Sequence, residues 1–499
     1  MTDVVKKFEP LFEPKSIAFI GASRNPLKWG YQIPSNLIEF GYNGNVYPVN
    51  PHESDLFKLK VYRSIDEIPE QPIDLAVATV PSRLILEVVK DCAQAGVRAL
   101  IVIAAGFGEL GGEGAGKEAE MARIARDSGM LLVGPNCAGV VSPEPRNLYC
   151  QMPPVKTSPG CIAMASQSGN IGKTIQDLAT KYHVGISRLV STGNEAFLHM
   201  EDYLEYFGED TRTKVVASYV EGVDDGRRFL NIARDVSRKK PVVVLKVGRT
   251  QAGQRAAKSH TGALAGSREI FHGACRQAGL TEVADVEELF DTITAFARQP
   301  IPRGRRVGIV SEGGGWGVLA ADACAEFGLE VVDLPEHVLK QLDSFLPSWW
   351  SRGNPVDLVG GMVDQGVAKC AEALLACDEV DGVIALGVAF LARQAAEYRR
   401  RAASGTSKLA SPALYEQIAD IAIQRDLEWI GELVKLIDRY QKPMVIAADT
   451  VFTAYEDKNE ALFALMGEGV MVYPTPRRAA RAFAHLVERH EYLASVGAV

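Results

Sequence analysis

Short, nearly continuous apolar runs alternate along the chain with longer stretches whose apolar residues recur at every third or fourth position. Continuous runs mark strands buried on both faces, and the alternation is the rhythm of parallel βα units. In the first third the pattern predicts strands at Ser16–Gly21, Asn45–Val49, Asp74–Val80, Ala99–Ala105 and Leu131–Pro135, enough for one doubly wound sheet. A polar, proline-bearing stretch from SPEPRN to KTSPG interrupts it. The rhythm restarts near Pro154, with strands at Cys161–Ser166, Ile186–Thr192, Lys214–Val220 and Pro241–Val247. RQPIPRGRR (Arg298–Arg306) reads as a linker to a third set at Val307–Ser311, Leu329–Leu334, Val380–Val388, Pro443–Asp449 and Gly469–Pro474. The expected fold is α/β, with three consecutive doubly wound domains at 1–150, 151–300 and 301–499.

Residues Arg393 to Gln441 exceed an ordinary crossover. AAEYRRRAASG reads as a basic surface stretch, and YEQIADIAIQRDLEWIGELVKLIDRY as one long amphipathic helix. Packing and solvation account for both, with a partner-binding helix as the alternative.

A length of 499 residues agrees with three domains at ~150 residues each. Hydrophobic content of 47% and charged content of 23% are those of a soluble globular protein, and a net charge of −8 gives no footprint for nucleic acid. No segment approaches the ~18 uninterrupted apolar residues of a membrane span. The opening MTDVVKKFEPLF matches neither a signal nor a transit peptide. Eight scattered cysteines without a CxxC pair read as reduced thiols, so a cytoplasmic protein is expected.

Each expected domain opens with a strand running into a small-residue turn and a helix: IAFIGASRNP, IAMASQSGNIG and VGIVSEGGGWGVLA. Free N–H groups at a helix start favour anions, and small residues let phosphate approach the backbone. A turn that merely packs is the alternative for SEGGGWG. The first turn lacks the GxGxxG spacing, and the second strand runs into VNPHES without a closing acid, which argues against NAD-dependent oxidoreduction.

RAAKSHTGALAGS (Arg255–Ser267) sets His260 between Ser259 and Thr261 in a sterically thin loop, after one expected strand and before a helix. An ordinary capping histidine is one reading. The other histidines, His52, His183, His199, His272, His337, His485 and His490, form no zinc-like spacing, and SQSGN around Ser168 is not a GxSxG elbow. The chemical reading that remains is an imidazole nucleophile toward phosphorus, with helix starts to stabilise the phosphate and a carboxylate to fix the tautomer. Glu221, in SYVEGVDDGR at a strand's C-terminal end, is the candidate carboxylate; a surface turn acid is its alternative.

IGAS, VNP, AAGFGE (Ala104–Glu109) and GPNCAG (Gly134–Gly139) are followed by SQSGN, STGNEA, YVEGVDDGR and KSHTGALAGS, then by SEGGGWGVLAADA and GNPVDL (Gly353–Leu358). In that order they make the chain resemble the α subunit of NDP-forming (ADP-forming) acyl-CoA synthetases, in the succinyl-CoA synthetase superfamily. The resemblance implies a Rossmann-like CoA-binding domain followed by two flavodoxin-like, succinyl-CoA-ligase-type domains. It implies that His260 is phosphorylated, that Glu221 orients it, and that Ser168, Gly169 and Asn170 with Gly313, Gly314 and Gly315 flank the phosphate. Gly21, Ser23, Arg24, Asn25, Pro26, Pro51, Ala104, Ala105, Gly106 and Asn136 match positions near CoA.

The implied reaction is acyl-CoA + phosphate + ADP ⇌ carboxylic acid + CoA + ATP, through an acyl phosphate and a phosphohistidine. With no zinc-like spacing among the histidines, no metal site is expected on this chain. The resemblance places Mg-ADP/ATP on a separate ATP-grasp β subunit, in an α2β2 assembly. Trp316 and the Arg393–Gln441 segment depart from the family pattern. The acid stays open: acetate, a longer or branched acid, an aryl acid or a dicarboxylate. A protein that binds or senses CoA or acyl-CoA without turnover is the alternative function.

Overall fold

The computed structural model of the chain describes residues 2–250, 252–253, 268–358, 364–405 and 409–498. Its strands build three large sheets and a small hairpin, distributed over two compact units: Met1–Lys181 with Gly185–Leu289, and Tyr182–Val184 with Phe290–Val499. None of the helices among the described residues is long and apolar enough to cross a membrane.

In the first unit, β1 (Ser16–Ile20) and β2 (Asn45–Val49) are followed by the hairpin β3 (Asp55–Leu56) and β4 (Leu59–Lys60), then by β5 (Leu75–Ala78), β6 (Ala99–Val102) and β7 (Leu131–Val133). The first sheet is parallel, in the order β2-β1-β5-β6-β7. The chain winds one way from β1 to β2 and the other way from β5 onward. A crevice therefore opens past the C-terminal ends of β1 and β5.

The second sheet is built from β8 (Gly139–Ser142), β9 (Leu148–Gln151), β10 (Pro159–Ser166), β11 (Ile186–Ser191), β12 (Val215–Val220), β13 (Val242–Lys246) and β14 (Thr281–Glu282), in the order β14-β13-β12-β10-β11-β8-β9. Its winding reverses between β10 and β12. Helix α1 (Gly169–Lys181) follows β10. The hairpin of β8 and β9 pairs antiparallel with β11, so this sheet is mixed, and β9 lies inside the stretch that the sequence pattern left without a strand.

One hydrophobic core runs from the first sheet to the second. Helix Asp3–Phe12 contributes to both sides, stacking Phe8 and Phe12 on Tyr206 at centroid distances of 5.0 and 4.7 Å. Arg188 is wholly buried yet satisfied, donating to Glu13 (2.7 Å), Ser142 (2.9 Å) and Tyr206 (3.1 Å).

The second unit holds β15 (Arg306–Ser311), β16 (Glu330–Val331), β17 (Val356–Asp357), β18 (Gly382–Leu386), β19 (Met444–Ala447) and β20 (Val472–Tyr473). They form a parallel sheet in the order β16-β15-β18-β19-β20, with β17 also on β15. The winding reverses between β15 and β18, and α2 (Gly314–Glu326) follows β15.

The segment after β18 folds into α3 (Phe390–Ser404) and α4 (Pro412–Tyr440), the latter being the long amphipathic helix expected from the sequence. Ser411 starts α4, its Oγ accepting the Leu414 N–H at 3.2 Å. The basic stretch is α3 itself, and its arginines are paired: Arg393 with Asp449, Arg399 with Asp420 and Glu460, Arg400 with Asp457. Buried Asp426 of α4 accepts the Ala392 N–H at 2.6 Å and so caps α3 from a neighbouring helix.

Candidate functional site

Gly21 follows β1, and its φ of +91° suits glycine. A Cβ at Gly30, in the helix that follows, would lie 2.1 Å from the Gly21 carbonyl oxygen, so two glycines let this helix start against the strand end. The loops after β1, β2, β5 and β6, with Asn136–Ala138, enclose a cleft of about 1290 Å³. It continues to the start of α1. Gly21, Ser23, Pro51, Ala104, Ala105 and Asn136 thus line the same cleft as Ser168, Gly169 and Asn170.

Lys28, Arg63 and Lys173 also line it, and no sequence motif singled them out. Arg24, Asn25, Pro26 and Gly106 are absent from its lining. Arg24 is held by Glu53 (3.0 Å) and Asp55 (2.5 Å), and Asn25 accepts the Leu27 N–H (2.9 Å). The Pro26 carbonyl accepts from Gln32 (2.9 Å), while the Gly106 N–H is taken by Glu109 (2.5 Å).

Glu221 follows β12 directly, and Gln167 follows β10. They meet because β10 and β12 are neighbours. The Gln167 side-chain oxygen accepts the N–H groups of Glu221 (2.5 Å) and Gly222 (3.1 Å), and its amide donates to the Gly222 carbonyl (3.0 Å). Lys246 donates to the Glu221 carbonyl at 2.7 Å. Tyr219, two residues back on the same face of β12, hydrogen-bonds the Glu221 side chain; burial and that carboxylate push its phenol up to about 12.

Behind Gln167 stands Glu195, bonded by Thr192 Oγ1 (2.7 Å), the Met200 N–H (3.1 Å) and Gln167. Complete burial pushes its carboxyl up to about 8. Sequence reasoning missed Gln167, Tyr219 and Glu195, although SQSGN and STGNEA contain two of them. His260 lies outside the described residues, so its loop adds no geometry here.

β15 repeats the device that ends β10. Ser311 Oγ donates to the Gly313 carbonyl (2.6 Å), as Ser166 Oγ does to that of Ser168 (2.7 Å). Gly313, Gly314 and Gly315 are exposed at the start of α2, which has no side-chain cap. The Asp357 carboxylate abuts Gly314, where a Cβ would come within 2.7 Å of it. A separate cavity of about 480 Å³ adjoins this helix start, with Trp316 in its wall.

The family model of a CoA binding domain matches residues 15–143, that of a succinyl-CoA ligase like flavodoxin domain residues 159–296, and that of a ligase-CoA domain residues 307–375. The chain is 38% identical over 482 residues to the alpha subunit of acetate–CoA ligase [ADP-forming] I from Pyrococcus furiosus, covering 96% of each protein. It is 39% identical to the 4-hydroxybutyrate–CoA ligase [ADP-forming] of Nitrosopumilus maritimus, over 70% of this chain and 50% of that one. The acetyl-coenzyme A synthetase 1 of Candidatus Korarchaeum cryptofilum, solved in complex with phosphate and ADP, superposes with a TM-score of 0.83 at 33% identity, over 99% of both chains. The three domain types in this order, with a relative that aligns nearly end to end, place the chain in the family of α subunits of ADP-forming acyl-CoA synthetases.

Proposed function

We propose that the chain performs the acyl-transfer and phosphoryl-carrier half of acyl-CoA + phosphate + ADP ⇌ carboxylic acid + CoA + ATP. The observation that carries this reading is the single cleft joining the loops of the first sheet to the helix start Ser168–Asn170 and its neighbour Gln167, which holds the Glu221 turn. CoA bound along Gly21, Ser23, Pro51, Ala104, Ala105 and Asn136 reaches the phosphate-facing end of that cleft with its thioester. Arg24, Asn25, Pro26 and Gly106 support the loops around it. In the first step a phosphate oxygen attacks the thioester carbonyl; the C–S bond breaks, CoA leaves as thiol, and an acyl phosphate forms.

The His260 imidazole then attacks phosphorus, releasing the carboxylate. Glu221 accepts the N–H on the other ring nitrogen and stabilises the charge that develops. The helix starts Ser168–Asn170 and Gly313–Gly315 stabilise the phosphate. ADP takes the phosphoryl group on a separate ATP-grasp β subunit, in an α2β2 assembly; Mg²⁺ accompanies the nucleotide there. The division of labour follows residues 1–150 for CoA, 151–300 for the phosphoryl carrier and 301–499 for the second helix start. Eight unpaired cysteines fit a reducing cytoplasm.

Relatives named for acetate and for 4-hydroxybutyrate show that the family leaves the acid open. Intact-protein mass spectrometry after incubation with phosphate, Mg²⁺ and acyl-CoA tests the carrier role. One acid-labile phosphoryl group, absent from His260→Asn, is expected. CoA binding without phosphorylation, even with an ATP-grasp partner added, would leave a CoA-sensing protein.

A further inference from the structure

STGNEA, residues 191–196, has no part in the proposed reaction, yet it lies where loops of the first sheet meet loops of the second, all within the first unit. It begins at the end of β11. Gly193, at a φ of +63°, runs so close to GPNCAG, which follows β7, that a Cβ on it would lie 2.1 Å from the Pro135 carbonyl oxygen. The N–H groups of Asn194 and Ala196 donate to the carbonyls of Pro135 (2.9 Å) and Gly134 (3.1 Å). The loop after β11 is thus tied by its backbone to the loop after β7.

Its two central side chains serve opposite sides. The Asn194 amide donates to Glu109 (2.6 Å) and Glu118 (2.9 Å), and its oxygen accepts from the Asn136 amide (3.2 Å). Those two carboxylates grip AAGFGE, the loop after β6, by three successive N–H groups: Glu109 accepts from Gly106 (2.5 Å) and Phe107 (3.1 Å), Glu118 from Gly108 (2.9 Å). Ala104 and Ala105, just before that grip, line the cleft. Glu195, the next residue, is buried and bonded by Gln167, whose side-chain oxygen accepts the N–H groups of the Glu221 turn.

Resting on the function proposed above, we propose that Asn194 and Glu195 are positioning residues that hold the CoA-binding loops and the Glu221 turn in one register, so that thioester and phosphate meet at reacting distance. Covalent geometry is the first argument. One peptide unit, ~3.8 Å between Cα atoms, separates the residue that holds AAGFGE from the residue that meets Gln167, so the two ends cannot shift independently. The backbone is the second: Glu195 has a φ of +60°, a left-handed conformation that a glutamate keeps only where its surroundings over-determine it, as the bonds on both sides do here. The third is that Asn194 lines the cleft with its donors already used. Both amide hydrogens go to Glu109 and Glu118, so it acts on a ligand through the loops it holds.

The full chain is mixed with phosphate and acetyl- or 4-hydroxybutyryl-CoA, whichever reacts faster, and the single-turnover rate of phosphohistidine formation is followed over a range of thioester concentrations. Asn194→Asp, which sets a third carboxylate against Glu109 and Glu118, should lower the limiting rate about 100-fold and leave the half-saturating concentration within about threefold of wild type. Adding Glu118→Gln, which exchanges amide and carboxylate between the two positions, should restore the rate by about tenfold or more. Asn194→Ala and Gln167→Leu, whose side chains are linked only through Glu195, should together cost about as much as the worse of the two alone, because either one releases the same register. These rate constants describe the folded molecules and do not change with a smaller folded fraction. A loss confined to the half-saturating concentration, an exchange that restores nothing, or single losses that multiply in the double variant overturns the proposal and leaves the synthetase reading standing. If the wild-type chain takes no phosphoryl group from either thioester, even with an ATP-grasp subunit present, that reading falls and this one with it.

Discussion

Gln167 spends one side-chain amide on three hydrogen bonds across the turn that carries Glu221, so it fixes where that carboxylate sits without itself being an acid or a nucleophile. Gln167→Leu removes all three. Phosphohistidine formation should fall about 10–100-fold, mostly in kcat rather than KM for acyl-CoA, as when a supporting hydrogen bond behind a functional group is lost. A loss confined to KM would show that Gln167 only lines the cleft. Its neighbour Glu195 gives a pH signature. With its carboxyl raised to about 8 in the folded chain, the native state keeps a proton that the unfolded chain gives up from its ordinary value of 4.5 upward. Stability from this group is full below the unfolded value and is lost as pH rises toward 8, by at most about 1.4 kcal/mol per pH unit. Melting curves between pH 5 and 8 should therefore fall more steeply for wild type than for Glu195→Gln. SQSGN is legible as an anion-ready turn from its small residues, but the part Gln167 plays needs β12 beside β10, and strand order is not written in local pattern.

Strands buried on both faces were the legible elements. Asn45–Val49 reads as a strand from its apolar run and forms one with those bounds, and the other long strands shift by a residue or a few at one end or both. The hairpin of β8 and β9 escaped because each strand has four residues and prolines stand in the turn between them, a pattern that also reads as loop. β14 and β17 are two residues each, too short to carry a period, whereas β16 and β20, equally short, lie inside the expected strands Leu329–Leu334 and Gly469–Pro474. The long helix α4 was legible as amphipathic, yet Asp426 interrupts its apolar face for a reason that appears only in three dimensions: it caps α3. Asp426→Ala should cost about 1–2 kcal/mol in urea unfolding, and Asp426→Asn, which keeps an acceptor, much less. Equal losses would mean that shape, and not the hydrogen bond to the Ala392 N–H, is what α3 needs.

At the scale of the molecule, each of the three large sheets reverses its winding beside the strand that runs into a small-residue turn, β1, β10 or β15. Each therefore has one crevice, and each crevice opens beside a small-residue helix start. The three strand-turn-helix openings are legible in the sequence; the reversal of winding beside each, which opens a crevice there, came only with the fold. On the function proposed above, CoA and phosphate share the cleft of the first unit, and the nucleotide binds on a separate subunit. Charged by acyl-CoA and phosphate, the chain alone should hold its phosphoryl group when ADP and Mg²⁺ are added, and no ATP should form. Addition of an ATP-grasp subunit should discharge it, with one ATP for each phosphoryl group lost. ATP formed by the isolated chain would place a nucleotide site on this chain and overturn the division of labour proposed above.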